Sequence, residues 1–440
     1  MKKYGSYKDS GVKWLGEIPE HWDVRKIKNL FNEKDSLFID GDWIESKDIF
    51  GEDVIYYTTG NIQELKFIEK DKSYITEETF DKLNCTEVLS GDILISRLNL
   101  PLGRCCIAPK FEKKSVVSVD VVVFRPDKIF NRAYLLYLMN SPQYFRHTED
   151  EARGAIMKRI SRSILGNIKI PIPPPEEQQA IANFLDDKTT KIDQAIAIKE
   201  KEIELLKERR QILIQELVTG KKIWDGNQWT KPIKTKNSGV DWIGEIPEDW
   251  EELPNKYIFT IKKKLVGKNS SEYDLLSLTL QGVKPRDMEN PEGKFPAEFD
   301  SYQEVSVGDF VFCLFDVEET PRTVGLSNFD GMITGAYTVM DSKKDINPKF
   351  LYYFYLFVDD KKRLRNLYRG LRNTIPKDSF MTFKTIIPSQ IAQNSIVSQI
   401  ENFEQKLQKA ISLKQQEIEK LKEYKTVLID SVVTGKVRVS

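Results

Sequence analysis

The sequence predicts an α+β protein, a mixed α/β fold in which two globular domains are separated by two long antiparallel coiled-coil helices. Three observations lead to this prediction: a short opening motif occurs twice, a long amphipathic segment occurs twice, and strand-like apolar runs lie between them. A chain of 440 residues with 40% hydrophobic residues can give each domain a core of its own. The predicted boundaries are domain one at 1–172, helix one at 173–222, domain two at 223–386, and helix two with the C-terminal tail at 387–440.

The opening motif is the first repeat. Residues 10–22 read SGVKWLGEIPEHW and residues 238–250 read SGVDWIGEIPEDW, which match at ten of thirteen positions with an offset of 228. A match of this length indicates that two similar structural units follow one another along the chain.

The second repeat is a helical segment. Residues 203–221 read IELLKERRQILIQELVTGK and residues 418–436 read IEKLKEYKTVLIDSVVTGK, at an offset of 215. Apolar residues recur at steps of three, four and seven, which places them on one stripe of an α-helix. The residues expected to pack helix against helix are Ile181, Leu185, Ile192, Ile196, Ile203, Leu206, Leu213, Leu217, Ile396, Ile400, Leu407, Ile411, Ile418, Leu421, Leu428 and Val432.

The ends of both helices are marked by residues with known end preferences. Glu176 follows a run of prolines, Ser389 can cap the second helix, and Gly220 and Gly435 can adopt the left-handed conformation at the two C-terminal ends. From Glu176 to Val218 there are 43 residues, about 65 Å of helix. A helix this long needs a partner, and antiparallel pairing of the two copies would relate the halves by a pseudo-two-fold axis. A generic coiled-coil spacer would not require the globular parts to repeat as well.

The globular parts contain strand-like runs at Ile93–Ser96, Ser115–Phe124 and Phe310–Phe315. An aromatic-rich helix comes next in each of the two domains, at Ala133–Met139 and Phe350–Phe357. These aromatic residues could stack on bases, but packing in a core is the interpretation we prefer.

A basic segment lies at the same repeat position in each domain. Arg153–Lys169 and Lys361–Lys377 contain several basic residues and no acidic one. One basic run is usually a solvated face, but two at matching positions in a chain of zero net charge suggest paired phosphate-binding patches. With further basic residues in loop-like contexts, the candidate DNA-binding residues are Arg97, Arg104, Arg153, Lys158, Arg159, Arg162, Lys284, Arg286, Arg322, Arg369, Arg372 and Lys377.

Motifs for catalysis, cofactors and metals are missing from the sequence. It contains no Walker A, GxGxxG or Asn-Pro-Pro-aromatic pattern, and His21 and His147 are its only histidines. We therefore expect no catalytic residue, metal site or cofactor in this chain. Four cysteines without CxxC spacing and the lack of an 18-residue apolar run predict a cytoplasmic protein that does not cross a membrane.

Taken together, the motifs resemble the specificity subunits (HsdS) of type I restriction-modification systems over essentially the whole chain. The resemblance rests on the two Gly-Val-x-Trp-x-Gly-Glu-Ile-Pro-x-x-Trp openings, Gly-Asp-Ile-Leu-Ile-Ser at 91–96, Ile-Pro-Ile-Pro-Pro at 170–174 and Leu-Val-Thr-Gly-Lys at 217–221. The second copy departs from the pattern, with Phe-Val-Phe-Cys-Leu at 310–314 and Ile-Pro-Ser-Gln at 387–390.

The resemblance implies a non-catalytic subunit whose two target-recognition domains each bind one half of a split double-stranded DNA site. It further implies two methyltransferase (HsdM) subunits, which bind S-adenosylmethionine and methylate adenines, and translocase and endonuclease (HsdR) subunits, which use ATP and Mg²⁺. The target adenine would be flipped into a methyltransferase subunit.

Two other interpretations stay open. A helical scaffold could join two protein partners without binding DNA, although the paired basic segments argue against it. An enzyme fused to a recognition domain would need a catalytic set. The best candidates for one are Asp127, Asp186 and Lys188, of which the last two lie on the first long helix.

Overall fold

The computed structural model describes residues 2–70, 72–152, 154, 158–287, 298–343 and 345–439. The chain divides into two compact units, one made of Met1–Lys199 with Gln415–Ser440 and the other of Glu200–Lys414. Both division points lie inside long helices. Each unit therefore contains a globular part and a portion of each helix.

In its described residues the first unit contains four short α-helices, and its part of the chain also contains the start of the first long helix, α5. The helices are α1 (Glu77–Lys82), α2 (Arg132–Leu138), α3 (Pro142–Asp150), α4 (Arg162–Asn167) and α5 (Pro175–Val218). The strands are β1 (Tyr7–Asp9), β2 (Glu17–Pro19), β3 (Asp23–Lys26), β4 (Leu37–Asp40), β5 (Val54–Tyr57), β6 (Ile62–Gln63), β7 (Lys66–Phe67), β8 (Ser73–Ile75), β9 (Ile93–Ser96), β10 (Cys105–Ile107), β11 (Ser115–Val117), β12 (Val121–Arg125) and β13 (Lys169–Ile172).

The second unit has a similar set of elements. Its helices are α6 (Pro348–Asp360), α7 (Lys377–Thr382) and the first part of α8 (Gln390–Val433). Its strands are β14 (Ile223–Trp224), β15 (Trp229–Thr230), β16 (Thr235–Asn237), β17 (Glu245–Pro247), β18 (Glu251–Pro254), β19 (Phe259–Ile261), β20 (Leu276–Thr279), β21 (Gly282–Pro285), β22 (Gln303–Val305), β23 (Phe310–Phe312), β24 (Val324–Leu326), β25 (Gly331–Ile333), β26 (Thr338–Ser342) and β27 (Lys384–Ile387).

The same four-stranded sheet occurs in both units. Its order is β10-β9-β12-β4 in the first unit and β24-β23-β26-β19 in the second, with antiparallel neighbours throughout. In each unit a further antiparallel pair leads into the long helix, β13 with β3 and β27 with β18. The predicted mixed fold with an internal repeat is therefore confirmed.

One apolar run that the sequence predicts as a single strand forms two strands in the structure. The apolar stretch Ser115–Phe124 forms two strands, β11 beside β5 and β12 in the four-stranded sheet. A turn between them, in which the Val121 amide donates to the Ser118 carbonyl at 2.8 Å, carries the chain from one sheet to the other. The aromatic-rich helix α6 is part of the core, since Phe350 and Phe354 are fully buried.

The helices α5 and α8 run antiparallel within each unit. In the first unit Lys425 lies 2.7 Å from Asp193, and Lys199 lies 2.5 Å from Glu417. In the second unit Arg210 pairs with Glu404, and Lys414 pairs with Glu202. In both units the partner number falls as the residue number rises, which is the signature of antiparallel packing.

The stripe residues lie along this contact and against the globular parts. Ile196, Leu206, Leu213 and Leu421 are half-buried, and the other twelve are buried. Those at the start of α5 and the end of α8 join the first core with Trp22 and Tyr134. Leu217, Ile396 and Ile400 join the second core with Trp250. Much of the stripe is therefore covered by the globular part of its own unit as well as by the other helix.

The opening motifs lie at the C-terminal ends of the long helices. Gly435, with φ +75°, lies so close to Pro19 and Trp22 that an added Cβ would be 2.3 Å from the Pro19 Cδ. Gly220, with φ +70°, has the same relation to Pro247 and would place a Cβ 2.3 Å from its Cδ. Both helices end in the left-handed glycine that the sequence predicts.

Candidate nucleic-acid interface

In the first unit the basic segment lies on the loop that follows the central strand β9. The Ile160 amide donates to the Arg97 carbonyl at 3.0 Å, and the Asn99 amide donates to the Lys158 carbonyl at 3.3 Å. Asn99 has a left-handed backbone, with φ +61°, which turns the loop back toward the sheet. Backbone hydrogen bonds therefore fix the basic segment to this loop.

The second unit has the same arrangement after the equivalent strand β23. The Ile375 amide donates to the Leu314 carbonyl at 2.8 Å, and the Asp316 amide donates to the Arg372 carbonyl at 2.8 Å. Asp316 also has a left-handed backbone, with φ +44°. The two basic segments found in the sequence thus contact corresponding loops in the two units.

The arginines of the first loop gather around two carboxylates. The Arg159 guanidinium lies 2.7 Å from Asp120, while Arg97 and Arg162 lie 3.1 and 3.3 Å from Asp40. Arg159 and Arg162 keep 48% and 43% of their side chains exposed, whereas Arg97 keeps 7%. Three cations face two anions, so the cluster carries a modest positive charge with Arg159 and Arg162 on its outside.

Arg97 and Arg104 occupy supporting positions in this loop. Arg104 is buried and donates to the carbonyls of Ile62 and Asn99 at 2.8 and 2.9 Å. Burial lowers the pKa of both guanidinium groups. Because their donors are turned to backbone oxygens and to Asp40, both side chains shape the loop and present little surface to a ligand.

Two candidate DNA-binding residues of the first unit remain, Lys158 and Arg153. Lys158 is half-buried and pairs with Glu149 on α3. Arg153 lies outside the described residues.

The basic segment of the second unit carries three exposed arginines, and each of them contacts an oxygen atom of the protein. Arg365 pairs with Glu318, and Arg372 pairs with Asp316. Arg369 is exposed and donates to the Tyr368 carbonyl at 2.9 Å. An antiparallel bridge between residues 369 and 374 closes a four-residue tip, at which residue 371, a leucine, is fully exposed.

The other candidates of the second unit have separate surroundings. The Arg322 guanidinium lies 3.2 Å from the buried carboxylate of Asp359. Lys284 lies on β21 with its ammonium 5.8 Å from the Phe329 ring centre. Arg286 follows that strand, and Lys377 is exposed at the start of α7.

Sequence reasoning missed the acidic half of both clusters. Asp40, Asp120 and Asp316 are each far in sequence from the arginine that they contact, so no spacing pattern predicts these ion pairs. For Asp316, its place in the loop after the recognisable strand β23 was a sequence feature that could have indicated a role in the site. The arginine clusters of both units are therefore networks of cations and anions. The ion pairs hold the arginines in defined positions, which a surface of unpaired basic residues would not do.

Residues 19–208 match the family model described as the type I restriction modification DNA specificity domain. Over nearly its whole length the chain is similar to specificity subunits of type I restriction enzymes. Among curated relatives, the MjaVIII specificity subunit of Methanocaldococcus jannaschii is 26% identical over 98% of this chain and 97% of its own. The MjaIX specificity subunit of the same organism is 24% identical over 97% and 95%. The EcoKI specificity subunit of Escherichia coli is 31% identical, over 22% of this chain and 21% of its own.

Two solved structures share the fold of this chain. A chain from a study of complex assembly and conformational transition of the type I restriction-modification system matches with a TM-score of 0.68 over 96% of this chain and 99% of that one, at 13% identity. The HsdS subunit of Thermoanaerobacter tengcongensis matches with a TM-score of 0.53 over 96% and 98%, also at 13% identity.

The described residues contain neither a metal-binding cluster nor a helix that could span a membrane. Within the described part of the chain, no cluster of His, Cys, Asp or Glu side chains is arranged to hold a metal ion. Helices with the length and apolar character of a membrane span were likewise not found in that part.

Proposed function

We propose that this chain is a specificity subunit that binds double-stranded DNA through two target-recognition domains, each of which binds one half of a split site. The observation that carries the proposal is the pair of corresponding loops. In both units a basic segment is hydrogen-bonded to the loop after the central strand, through Arg97 and Ile160 in one and through Leu314 and Ile375 in the other. Two similar surfaces suit two half-sites.

The charges of these loops support sequence-dependent contact more than general attraction to phosphate. Each exposed arginine is already held by an anion or a carbonyl, so its attraction to a distant phosphate is weakened. The chain as a whole has zero net charge, which removes any long-range pull toward nucleic acid. Recognition would therefore depend on the placement of a few donors and acceptors.

The chemistry would be carried out by partner subunits. In this proposal the chain catalyses no step and holds no cofactor, while two methyltransferase subunits bind S-adenosylmethionine, and translocase and endonuclease subunits use ATP and Mg²⁺. The specificity subunit would decide which adenine is flipped and methylated.

The decisive experiment is co-expression with the cognate modification subunit, followed by sequencing of the host DNA for methylated adenines. A split motif with a fixed spacer is the expected result. A stable complex that neither methylates nor binds DNA would instead favour a scaffold that joins two protein partners.

The contribution of phosphate contacts can be measured through salt. Replacing Arg369 by glutamine removes an exposed cation and should reduce the slope of log affinity against log salt by about one unit, the value for one lost phosphate contact. Lys349→Gln is the matched control, because that lysine is also exposed and pairs with Glu401 of α8. Equal slopes for Arg369→Gln and the wild type would contradict the contact.

A further inference from the structure

The loop tip of the second unit holds one arginine in an unusual way. The Nε and Nη2 atoms of Arg372 both bind the carboxylate of Asp316, with the Nε–Oδ1 distance at 2.9 Å. The guanidinium carbon also lies 5.6 Å from the centre of the Phe315 ring. A guanidinium that is hydrogen-bonded along one edge and lies next to an aromatic ring has lost most of its rotational freedom before any ligand binds.

Most of the Arg372 side chain, with its unpaired N–H donors, faces the solvent. The Arg372 side chain is 69% exposed although it is paired, whereas Asp316 is 33% exposed. A guanidinium has five N–H donors in one plane, and the side-on pair with Asp316 engages two of them. The end of the guanidinium, with one N–H of Nη1 and the second N–H of Nη2, therefore presents two parallel donors to the solvent at a fixed position.

The charge balance limits what this edge can bind. Asp316 neutralises Arg372, and Glu318 and Glu319 lie in the same loop, where Glu319 accepts from the Asn373 amide at 3.1 Å. A phosphate would gain little from Arg372, because Asp316 already offsets its charge and Glu318 is likewise paired with Arg365. A neutral ligand with two adjacent acceptors needs no net positive charge.

The first unit shows that this pair is not part of the common scaffold. Asn99 occupies the position that corresponds to Asp316, with the same left-handed backbone and the same hydrogen bond to the basic segment. Asn99 has no charge with which to hold an arginine side-on. The two units thus share the loop geometry and differ in the side chain, as expected of positions that distinguish two different half-sites.

We infer that Arg372, positioned by Asp316, recognises a guanine in the half-site bound by the second unit. Among the base edges in the major groove, guanine alone offers two acceptors, O6 and N7, to a pair of parallel donors. Adenine offers N7 beside an amino donor, which would face a donor of the arginine. The inference rests on the proposed function and names one of its reading residues.

The test uses the complex with the modification subunit and a duplex that carries the site found by methylated-adenine sequencing, together with every single-base-pair variant of it. Arg372→Lys keeps the charge but loses the planar donor pair. Asp316→Asn keeps the arginine and removes the carboxylate that fixes it. Both positions are on the surface, so thermal unfolding of each variant should match that of the wild type, which confirms that any change in binding is local.

At one guanine of one half-site, both variants should lose about tenfold or more of the discrimination against other bases. Asp316→Asn removes a negative charge, so its affinity for duplexes without the site should not fall. A loss of discrimination without a loss of this nonspecific affinity is therefore expected. The other half-site, bound by the first unit, serves as the internal control.

Unchanged base preference in both variants would overturn the inference, as would a half-site without guanine. In either case the wild-type complex would still methylate a split motif, so the proposed function would stand. If the wild type itself shows neither methylation nor sequence-dependent binding, the proposed function fails and the inference fails with it.

Discussion

Replacing Gly220 by alanine tests the contact between a helix end and an opening motif. The new Cβ would lie 2.3 Å from the Pro247 Cδ and 2.7 Å from its Cγ, inside a rigid ring that cannot rotate away. The positive φ of 70° adds a conformational cost of about 1 kcal/mol. Overpacking of this kind typically costs about 1–3 kcal/mol. The expected loss is therefore about 2–4 kcal/mol.

The matched control is Gly267→Ala. Gly267 has φ +57° and nothing within 4 Å of the added Cβ, so only the backbone cost of about 1 kcal/mol applies. For a unit of this size, 1 kcal/mol lowers Tm by about 2–4 °C. Thermal unfolding should show a drop of roughly 4–16 °C for Gly220→Ala and about 2–4 °C for the control. Equal drops would refute the idea that the glycine is required by the close approach of Pro247.

Three further predictions concern the cores. Ile400→Ala removes a fully buried side chain of α8 and should cost about 2–5 kcal/mol in urea unfolding, whereas Ile391→Ala, at a residue that is 81% exposed, should cost almost nothing. Asp359→Ala leaves the partners of a buried carboxylate unpaired and should cost about 3–5 kcal/mol. Burial raises the pKa of Cys85 and Cys106 to about 12, so below that pH both thiols stay protonated and should react with iodoacetamide at pH 8 far more slowly in the folded protein than after unfolding. Rapid labelling of the folded protein would contradict the burial.

The repeats allowed most of the architecture to be predicted from the sequence. A helical stripe and a glycine after it are local features, and local features leave a clear pattern. The same holds for the strand Ile93–Ser96, which the structure contains with those bounds. Ser115–Phe124 was harder, because an apolar run does not reveal that a turn at Ser118 sends its two halves to different sheets.

One buried glutamine occurs in both copies of the repeat. Gln393 lies at the position of Gln178 at the offset of 215, although the residues before it differ. Each amide nitrogen donates to a proline carbonyl five residues earlier at 2.8 Å, from Pro173 in one unit and Pro388 in the other. Each side-chain oxygen accepts from the amide of an asparagine that caps a helix.

The sequence predicted where the candidate site lies but not which side chains contact one another in it. Charge patterning located both basic segments, since an absence of acidic residues along the sequence is easily seen. It could not reveal that Asp40 reaches Arg97 and Arg162, or that Arg104 is turned inward to backbone carbonyls. Those contacts join residues that are distant along the chain, and only the folded sheet brings them together.

The composition of the first unit has a consequence for synthesis on the ribosome. Residue 2 pairs with Arg438, and Gly435 lies against Pro19 and Trp22, so the first unit includes residues that are made after the whole of the second unit. The second unit, Glu200–Lys414, is one uninterrupted stretch. Domains usually fold in the order in which they are translated. Here the order is reversed, because the second unit has all its residues before the end of α8, which completes the core of the first unit, has been made.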